Sequence, residues 1–438
     1  MELISLELQG FRGLADQTID LEPEPFRSGG LQPIVFIGTN GSGKSSILKA
    51  ILRLLSWFTR RLKNARTNGL PFQPEDIALD RSQVAAALTL VYQDQSYRWN
   101  VSRNRPKAFK THKDSRKTDT KGSFYTELNQ LVESFHGLME QDIQTPLPVL
   151  VHYSTDRTVP QARVHLPKKR DNPIPLNAYD RALDEEATTF KSFFEWFRIR
   201  EDYENQRRSK EDPRYQDPQL EAVRRACTLL TGLTDLQIRR ETPVRMTVTK
   251  TIDGLPQIFR IEQLSDGEKG LLAMTGDIAR RLAIANPHLS DPLQGEGVVL
   301  IDEIELHLHP QWQSSIIENL CTTFPNCQFI LTTHSPQVIT NLDWVYLLEP
   351  TPQGTRCQSI RTYGKDSNRI LEAIMDAPSR SALLQQKVQH LFALIKSGKL
   401  EQAHALRSEL LSDLDDPSID PELIRASWLM TDYSMVEV

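Results

Sequence analysis

Short apolar runs alternate with longer stretches of helical periodicity along most of this chain. Residues 34–37, 297–301 and 329–331 are continuous apolar runs of strand length, a pattern that predicts strands buried on both faces. Residues 46–52 and 271–284 instead repeat apolar side chains at helical spacing. Because buried strands and helices are interleaved, the pattern predicts an α/β fold.

Two further patterns predict structure beside that core. Residues 1–8 alternate between polar and apolar positions, and residues 85–92 and 96–101 predict a hairpin around Asp94–Gln95. These segments together predict an antiparallel β subdomain. A stripe of aromatic residues that share one helical face is typical of core packing. The stripe consists of Phe190, Phe193, Phe194 and Phe197.

The C-terminal part of the chain predicts helices. Residues 383–395 repeat apolar side chains at helical spacing, and a break at 397–400 precedes a second helix through Leu411. We therefore predict four segments, listed here with their bounds. They are a first lobe (1–160), a mainly helical insertion (161–260), a second lobe (261–350) and a helical tail (351–438).

A glycine-rich segment lies between the strand at 34–37 and the helix at 46–52. Glycines there allow backbone N–H groups to approach phosphate oxygens, and the start of a helix adds a favourable dipole. Lys44 can then reach the β- and γ-phosphates, and the Ser45 hydroxyl can bind Mg²⁺. A chance glycine-rich turn is the alternative. The predicted nucleotide-binding residues of this loop are Gly38, Asn40, Gly41, Ser42, Gly43, Lys44, Ser45 and Ser46.

Two strand ends downstream carry matching chemistry. The strand at 297–301 ends in Asp302 and Glu303, of which the first would hold the metal ion and the second would polarise the attacking water. The later strand ends near His334, which can hydrogen-bond a γ-phosphate. A lone histidine or acidic pair is often structural, but the order of these motifs indicates ATP hydrolysis with Lys44, Glu303 and His334 as catalytic residues.

A fourth motif, LSDGEKG at 264–270, precedes the helix at 271–284 and offers a second anion site at a helix start. An ordinary helix cap is the alternative. With this motif the chain resembles the ABC-type ATPases of the SMC, RecF and OLD-like branch. The resemblance implies that Ser265 and Gly267 contact ATP held by a second copy in a head-to-tail dimer. It also implies that Arg12, in the segment GFRGL, touches nucleotide phosphate; Arg12 as a surface charge is the alternative.

The resemblance implies a complete fold class and a biological setting. The expected fold is an ABC-type P-loop ATPase head with an antiparallel β subdomain, a short helical insertion and a C-terminal helical tail. The segment FFEWFRIREDYEN at 193–205 resembles bacterial ATPases that accompany nucleases or retrons in anti-phage defence, including the ATPase of the Septu system. ATP and Mg²⁺ are the implied cofactors. The implied partners are a second copy or a higher oligomer, and an HNH-type effector nuclease or retron components.

Composition narrows these expectations. The chain has 438 residues, a net charge of −5 and a mean hydropathy of −0.43, values that predict a cytoplasmic protein without a membrane-spanning segment. Its four cysteines lack Cys-x-x-Cys spacing, which argues against a zinc site. The tail lacks the separated acidic strands of a Toprim nuclease, so the sequence predicts slow ATPase activity without intrinsic nuclease activity.

Two charged segments leave alternatives open. Between Arg98 and Lys121 there are nine Lys or Arg residues against two Asp, so this basic loop could bind nucleic acid or could be a solvated loop. The segment 401–438 has nine Asp or Glu against two Arg and could dock a basic partner or be an ordinary surface. The alternative functions are a RecF-like DNA-repair ATPase that uses the basic loop and a nucleotide-dependent scaffold that holds a toxin inactive.

Overall fold

The computed structural model divides the chain into two compact units, Met1–Lys365 and Asp366–Val438. The structure describes residues 1–26, 29–106, 123–158, 173–184, 188–362, 382–412 and 421–436. Within these ranges, no helix is long and apolar enough to cross a membrane. The four predicted segments do not correspond one-to-one to these units, and their inner boundaries stay a prediction.

The first unit is built on a six-stranded sheet with the order β15-β14-β3-β13-β12-β6. Strands β6, β12, β13, β3 and β14 run parallel, and β15 is antiparallel to β14. The strands are β3 (Ile34–Ile37), β6 (Val149–Tyr153), β12 (Gly297–Ile301), β13 (Cys327–Thr332), β14 (Trp344–Glu349) and β15 (Arg356–Arg361). Strands β3, β6, β12 and β13 are entirely buried, which explains their largely apolar sequences.

A second sheet, with the order β2-β1-β4-β5, is antiparallel throughout. Its strands are β1 (Glu2–Gln9), β2 (Gln17–Asp20), β4 (Gln83–Tyr92) and β5 (Gln95–Asn104). The hairpin turn is at Gln93 and Asp94, one residue earlier than predicted, because both residues have positive φ and Tyr92 pairs with Gln95. Helix α1 (Lys44–Lys63) packs between the two sheets, and 14 of its 20 residues are buried.

The remaining helices of the first unit surround these sheets. They are α2 (Thr126–Gln141), α3 (Lys191–Lys210), α4 (Pro218–Thr231), α5 (Asp266–Ala285), α6 (Pro310–Gln313) and α7 (Ile316–Thr323). The aromatic stripe of α3 is buried, in agreement with its predicted packing role. Helix α5 packs against α3, α4 and β6, and Phe193 of α3 lies against Gly276 of α5.

A three-stranded antiparallel sheet, β9 (Thr234–Arg239), β10 (Arg245–Ile252) and β11 (Leu255–Arg260), precedes α5. The sequence predicts mainly helices for this segment. Apolar residues alternate in β9 and β10, but β11 is exposed along most of its length and lacks such a pattern, so the segment has no complete hairpin signal. Two short strands, β7 (Arg157–Thr158) and β8 (Thr188–Thr189), pair in parallel. Thus β8 and the three-stranded sheet are β structure within the predicted helical insertion.

The second unit contains three helices in its described residues. They are α8 (Ala382–Lys396), α9 (Leu400–Ser412) and α10 (Pro421–Val436). Their shared core includes Leu391, Ile395, Leu410 and Met430, all of which are buried. This unit agrees with the predicted helical tail. Together with the two sheets of the first unit, it confirms the predicted fold class: a P-loop head with an antiparallel subdomain and C-terminal helices.

Candidate functional site

The glycine-rich loop connects β3 directly to the first turn of α1. Gly38, Gly41 and Gly43 have φ values of 151°, 80° and 101°, a region that favours glycine. A Cβ atom on Gly38 would lie 2.8 Å from the Ser42 Oγ atom and 2.9 Å from the Leu348 carbonyl oxygen, whereas one on Gly41 would meet nothing within 4 Å. The loop is therefore packed on its inner side and open on its outer side, as a ligand cradle requires.

The ammonium group of Lys44 lies inside this loop. Its Nζ atom donates hydrogen bonds to the carbonyl oxygens of Gly38 (2.9 Å) and Thr39 (3.0 Å) and lies 3.4 Å from the Nδ1 atom of His334. Burial lowers the pKa of Lys44 to about 8, although Glu303 and nearby carboxylates oppose this shift. The loop thus holds the Lys44 ammonium next to the carboxylates of residues that follow β12.

Parallel pairing brings Asp302 to the start of α1. Strands β12 and β13 pair Ile301 with Leu331, so the residues that follow, Asp302 and Thr332, are neighbours. Asp302 is buried and its Oδ1 atom accepts hydrogen bonds from the hydroxyls of Ser45 (3.0 Å) and Thr332 (2.5 Å). The structure therefore joins the two predicted metal ligands directly.

Glu303 and His334 face the same edge of the sheet. The Oε1 atom of Glu303 lies 4.0 Å from the Nε2 atom of His334. Burial and the charge of Lys44 lower the pKa of His334, which favours a neutral ring at neutral pH. Glu303 has a φ of 46°, a left-handed conformation that costs energy for any residue with a Cβ atom.

Three residues of this site were missed or weakly signalled by the sequence. Thr332 bonds Asp302, the side chain of Glu305 accepts a hydrogen bond from the backbone N–H of His334 (2.5 Å), and Arg157 donates to the carbonyl oxygens of Asp302 (3.2 Å) and Glu303 (2.6 Å). In the resembling ATPases a glutamine loop lies near the end of β6, and the sequence has Tyr153, Asp156 and Arg157 there as candidates for its role. Thr332, Glu305 and Arg157 are all polar residues at the end of a buried strand or four positions beyond it, which is their shared signal.

Arg12 lies at the first turn of α1. Its Nε and NH2 atoms donate to the Oδ1 atom of the buried Asp76 (2.9 and 2.8 Å), and its NH1 atom donates to the Ser46 hydroxyl (3.0 Å). Arg12 also has a positive φ of 51°. The guanidinium is therefore fixed beside the cradle, and its contact with nucleotide phosphate stays a prediction.

Ser265 and Gly267 lie at the start of α5. Ser265 is an exposed N-cap whose hydroxyl accepts from the Glu268 N–H (3.3 Å), and the Glu268 carboxylate bonds Ser265 in return. Gly267 is buried, and a Cβ atom there would lie 2.3 Å from the His307 carbonyl oxygen. Among the contacts of the described residues, none joins these two to the cradle. Asn40, at the tip of the cradle, is exposed.

The donor set fits a nucleotide triphosphate with a divalent cation. A lysine and glycine-rich backbone suit phosphate oxygens, and a hydroxyl with a carboxylate 3.0 Å away suits Mg²⁺, which prefers oxygen ligands. The buried Ser42 hydroxyl has no hydrogen-bond partner within the described residues and lines the same loop. The arrangement can therefore bind a phosphate chain and support water attack at its end.

The basic loop is only partly described. Arg98 pairs with Glu7, Arg103 donates to the Phe72 carbonyl oxygen, and Arg105 donates to the Ala78 carbonyl oxygen. Residues 107–122, which hold the other six basic side chains, lie outside the described residues. In the described part, the cations are used within the chain itself.

Comparison with known proteins gives a consistent set of relatives. The chain is 29% identical to the Retron Vc95 probable ATPase of Vibrio cholerae serotype O1 biovar El Tor, over 85% of this chain and 79% of that protein. It is 26% identical to the Retron Ec83 probable ATPase of Escherichia coli, over 87% and 77%. The Septu protein PtuA of Bacillus mycoides (strain KBAB4) matches at 43% identity over 18% of this chain and 10% of that protein.

Family and structure comparisons cover most of the first unit. A family model described as AAA domain matches residues 5–231, just over half of the chain. Another AAA-domain model, whose description also names the AbiEii toxin and type IV toxin–antitoxin systems, matches residues 161–340. The SMC head domain from Thermotoga maritima superimposes on 82% of this chain and 100% of that chain, with a TM-score of 0.43 and 14% identity.

Proposed function

This chain is an ATPase that belongs to the AAA domain family, and we propose that it is an ATP-dependent switch of anti-phage defence. The observation that carries the proposal is the meeting of Lys44, Asp302, Glu303 and His334 at one sheet edge. Its similarity to the Retron Vc95 and Retron Ec83 probable ATPases supports the defence setting. The switch acts through two states, one with ATP bound and one after hydrolysis.

ATP binds with its phosphates in the loop from Gly38 to Ser45. The Lys44 ammonium donates to two loop carbonyls, and the β- and γ-phosphates would offer it stronger, charged acceptors. Arg12 lies beside the first turn of α1, where it contacts the phosphate chain or fixes Ser46 beneath it. The exposed Asn40 and the backbone N–H groups of the loop complete the binding residues.

Ser45 and Asp302 hold Mg²⁺, directly or through water. The bound ion would neutralise part of the phosphate charge and orient the γ-phosphate. Glu303 accepts a proton from the attacking water, and neutral His334 donates a hydrogen bond to the γ-phosphate. The 4.0 Å separation of their side chains leaves both within reach of one reacting centre.

ATP also joins two copies of the chain head-to-tail. Ser265 is exposed at the N-terminus of α5, where the helix dipole favours an anion, and its contacts are within its own capping box. A second copy supplies the γ-phosphate that this end of α5 lacks. Hydrolysis removes the shared phosphate and reopens the dimer. The closed dimer controls a separate effector, an HNH-type nuclease or a retron component.

The test compares three proteins for bound nucleotide and mass. Lys44→Ala removes the phosphate-binding cation and is expected to leave no bound ATP in equilibrium binding. Glu303→Gln keeps the cradle and removes the base, so it is expected to hold ATP and to sediment as a dimer, whereas wild type returns to monomer as ATP is consumed. Equal ATP occupancy of the two variants would overturn the assignment.

The effector is tested in the native host. Tagged wild-type and Glu303→Gln proteins are recovered, and the bound proteins and nucleic acids are identified. A nuclease or reverse transcriptase enriched on Glu303→Gln supports the switch. Recovery of DNA alone would instead favour a repair ATPase, although Arg98, Arg103 and Arg105 are engaged within the chain.

A further inference from the structure

The backbone of Glu303 is held on both of its sides. Its N–H donates to the hydroxyl of Thr332 (2.8 Å), and its carbonyl oxygen accepts from the NH2 atom of Arg157 (2.6 Å). Between these two contacts the residue has a φ of 46°. A left-handed conformation at a glutamate persists only where surrounding contacts impose it.

Arg157 reaches this position from the neighbouring strand. Tyr153 at the end of β6 pairs with Ile301 at the end of β12, so the residues after β6 lie beside Asp302 and Glu303. The same NH2 atom that bonds Glu303 also lies 3.2 Å from the Asp302 carbonyl oxygen, and the NH1 atom lies 3.6 Å from the Met274 sulfur on α5. These contacts fix the plane of the guanidinium.

The contacts of Arg157 are to main-chain oxygens rather than to the carboxylates. A guanidinium with several fixed donors can bridge two successive carbonyl groups, which a single ammonium does less well. Its charge also lies near Asp302, Glu303 and Glu305, which together would otherwise repel one another. Both effects favour one fixed orientation of the acidic segment.

We propose that Arg157 is a positioning residue for Glu303: it locks the left-handed peptide, together with Thr332, so that the carboxylate faces the attacking water. This inference rests on the proposed role of Glu303 as the base. The Arg157 guanidinium donates to the main-chain oxygens of Asp302 and Glu303. Its loss therefore misplaces the base without weakening ATP binding.

The test is a double-mutant cycle with Arg157→Ala and Glu303→Gln. We expect Arg157→Ala to lower kcat about 30- to 100-fold with an ATP Kd within about twofold of wild type, because a misplacement of about 1 Å can cost that much. In the Glu303→Gln protein the same substitution should change the residual rate less than about threefold, because the base it positions is already gone.

Other outcomes separate this inference from the proposed function. A full additional loss in the double variant, or a weaker ATP Kd that accounts for the lost activity, overturns the positioning role. If Glu303→Gln hydrolyses ATP like wild type, the proposed function itself fails.

Two further variants serve as controls for the double-mutant cycle. Arg225→Ala, which removes an exposed arginine paired with Asp291, is expected to keep wild-type activity. Arg157→Lys keeps the charge but replaces the planar guanidinium with an ammonium group, so it should recover part of kcat. Should Arg157→Ala fail to fold, Arg157→Lys replaces it in the cycle. The expected loss of kcat is then smaller, and the effects of Arg157→Lys and Glu303→Gln should again not add.

Discussion

The phosphate cradle and the start of α5 carry equally recognisable motifs, yet their surroundings differ. The cradle meets Asp302, Glu303 and His334 within one chain, since adjacent parallel strands end at the same edge. At the start of α5 the contacts are local instead. Ser265 and Glu268 form a reciprocal capping box, and Gly267 packs against the His307 carbonyl oxygen. A motif becomes a site within one chain only where topology brings partners to it, and under the proposed function a second copy would bring them to the start of α5.

The largest expected effect comes from removing a proposed Mg²⁺ ligand beside the phosphate cradle. Asp302→Ala removes the carboxylate that bonds Ser45, so Mg²⁺ should bind poorly and ATP hydrolysis should fall at least about 10³-fold, because a catalytic metal contributes several kcal/mol to the transition state. Steady-state phosphate release measures the loss. Chelation of Mg²⁺ should reproduce it in wild type, while Asp80→Ala, at an exposed side chain, should not. Normal turnover by Asp302→Ala would remove Asp302 from the metal site.

The next effect tests how α5 is anchored. Burial opposes ionisation of Asp277, but Arg281 and Arg280 lower its pKa well below the usual range, and the Tyr153 hydroxyl donates to it. Asp277→Asn leaves two buried guanidinium groups without a counter-charge and should destabilise the first unit by about 3–5 kcal/mol. Chemical unfolding measures the change.

The Asp277 carboxylate also makes the stability of the first unit depend on pH in the acidic range. Because the folded-state pKa of Asp277 is depressed, its contribution is complete above the unfolded-state value near 4 and is lost as pH falls toward the folded-state value. The difference in stability between wild type and Asp277→Asn should therefore shrink below about pH 4. A difference that is constant down to that pH and below would contradict this account of α5.

A smaller effect sharpens the comparison at the start of α5. Ser265→Asp and Ser265→Asn both keep a good N-cap, but the aspartate adds a negative charge where a second copy would place its γ-phosphate. ATP-dependent association measured by sedimentation should weaken at least about tenfold for Ser265→Asp, a cost of about 1.4 kcal/mol, and much less for Ser265→Asn. Equal association of both variants would show that this end of α5 does not face phosphate.

The smallest expected effect concerns the backbone of Glu303. Glu303→Gly and Glu303→Ala both remove the carboxylate, but only glycine adopts a φ of 46° without steric cost. The glycine variant should be more stable by about 1 kcal/mol, seen as a higher unfolding midpoint. The opposite order would show that this peptide is not strained.

Local patterns predicted the parts of the molecule that depend on nearby residues. Buried strands such as β3 and β12, the capped helix α5 and the α8–α9 pair follow from apolar periodicity and end signals. The three-stranded sheet before α5 was not predicted, although apolar residues alternate in β9 and β10, because its third strand, β11, is exposed and lacks that pattern. The acidic surplus of the tail stays a composition statement, since residues 413–420 lie outside the described range.

By itself the sequence determined which residues could bind phosphate and metal, because glycine conformation, strand burial and side-chain chemistry are local properties. Only the tertiary structure decided that β6, β12, β13 and β3 lie side by side. That order places Arg157 and Thr332 on either side of the Glu303 peptide, and the pairing of Phe11 with Ile77 brings Arg12 to Asp76. The reason is that strand order arises from pairing between distant segments, which the pattern of any one segment does not encode.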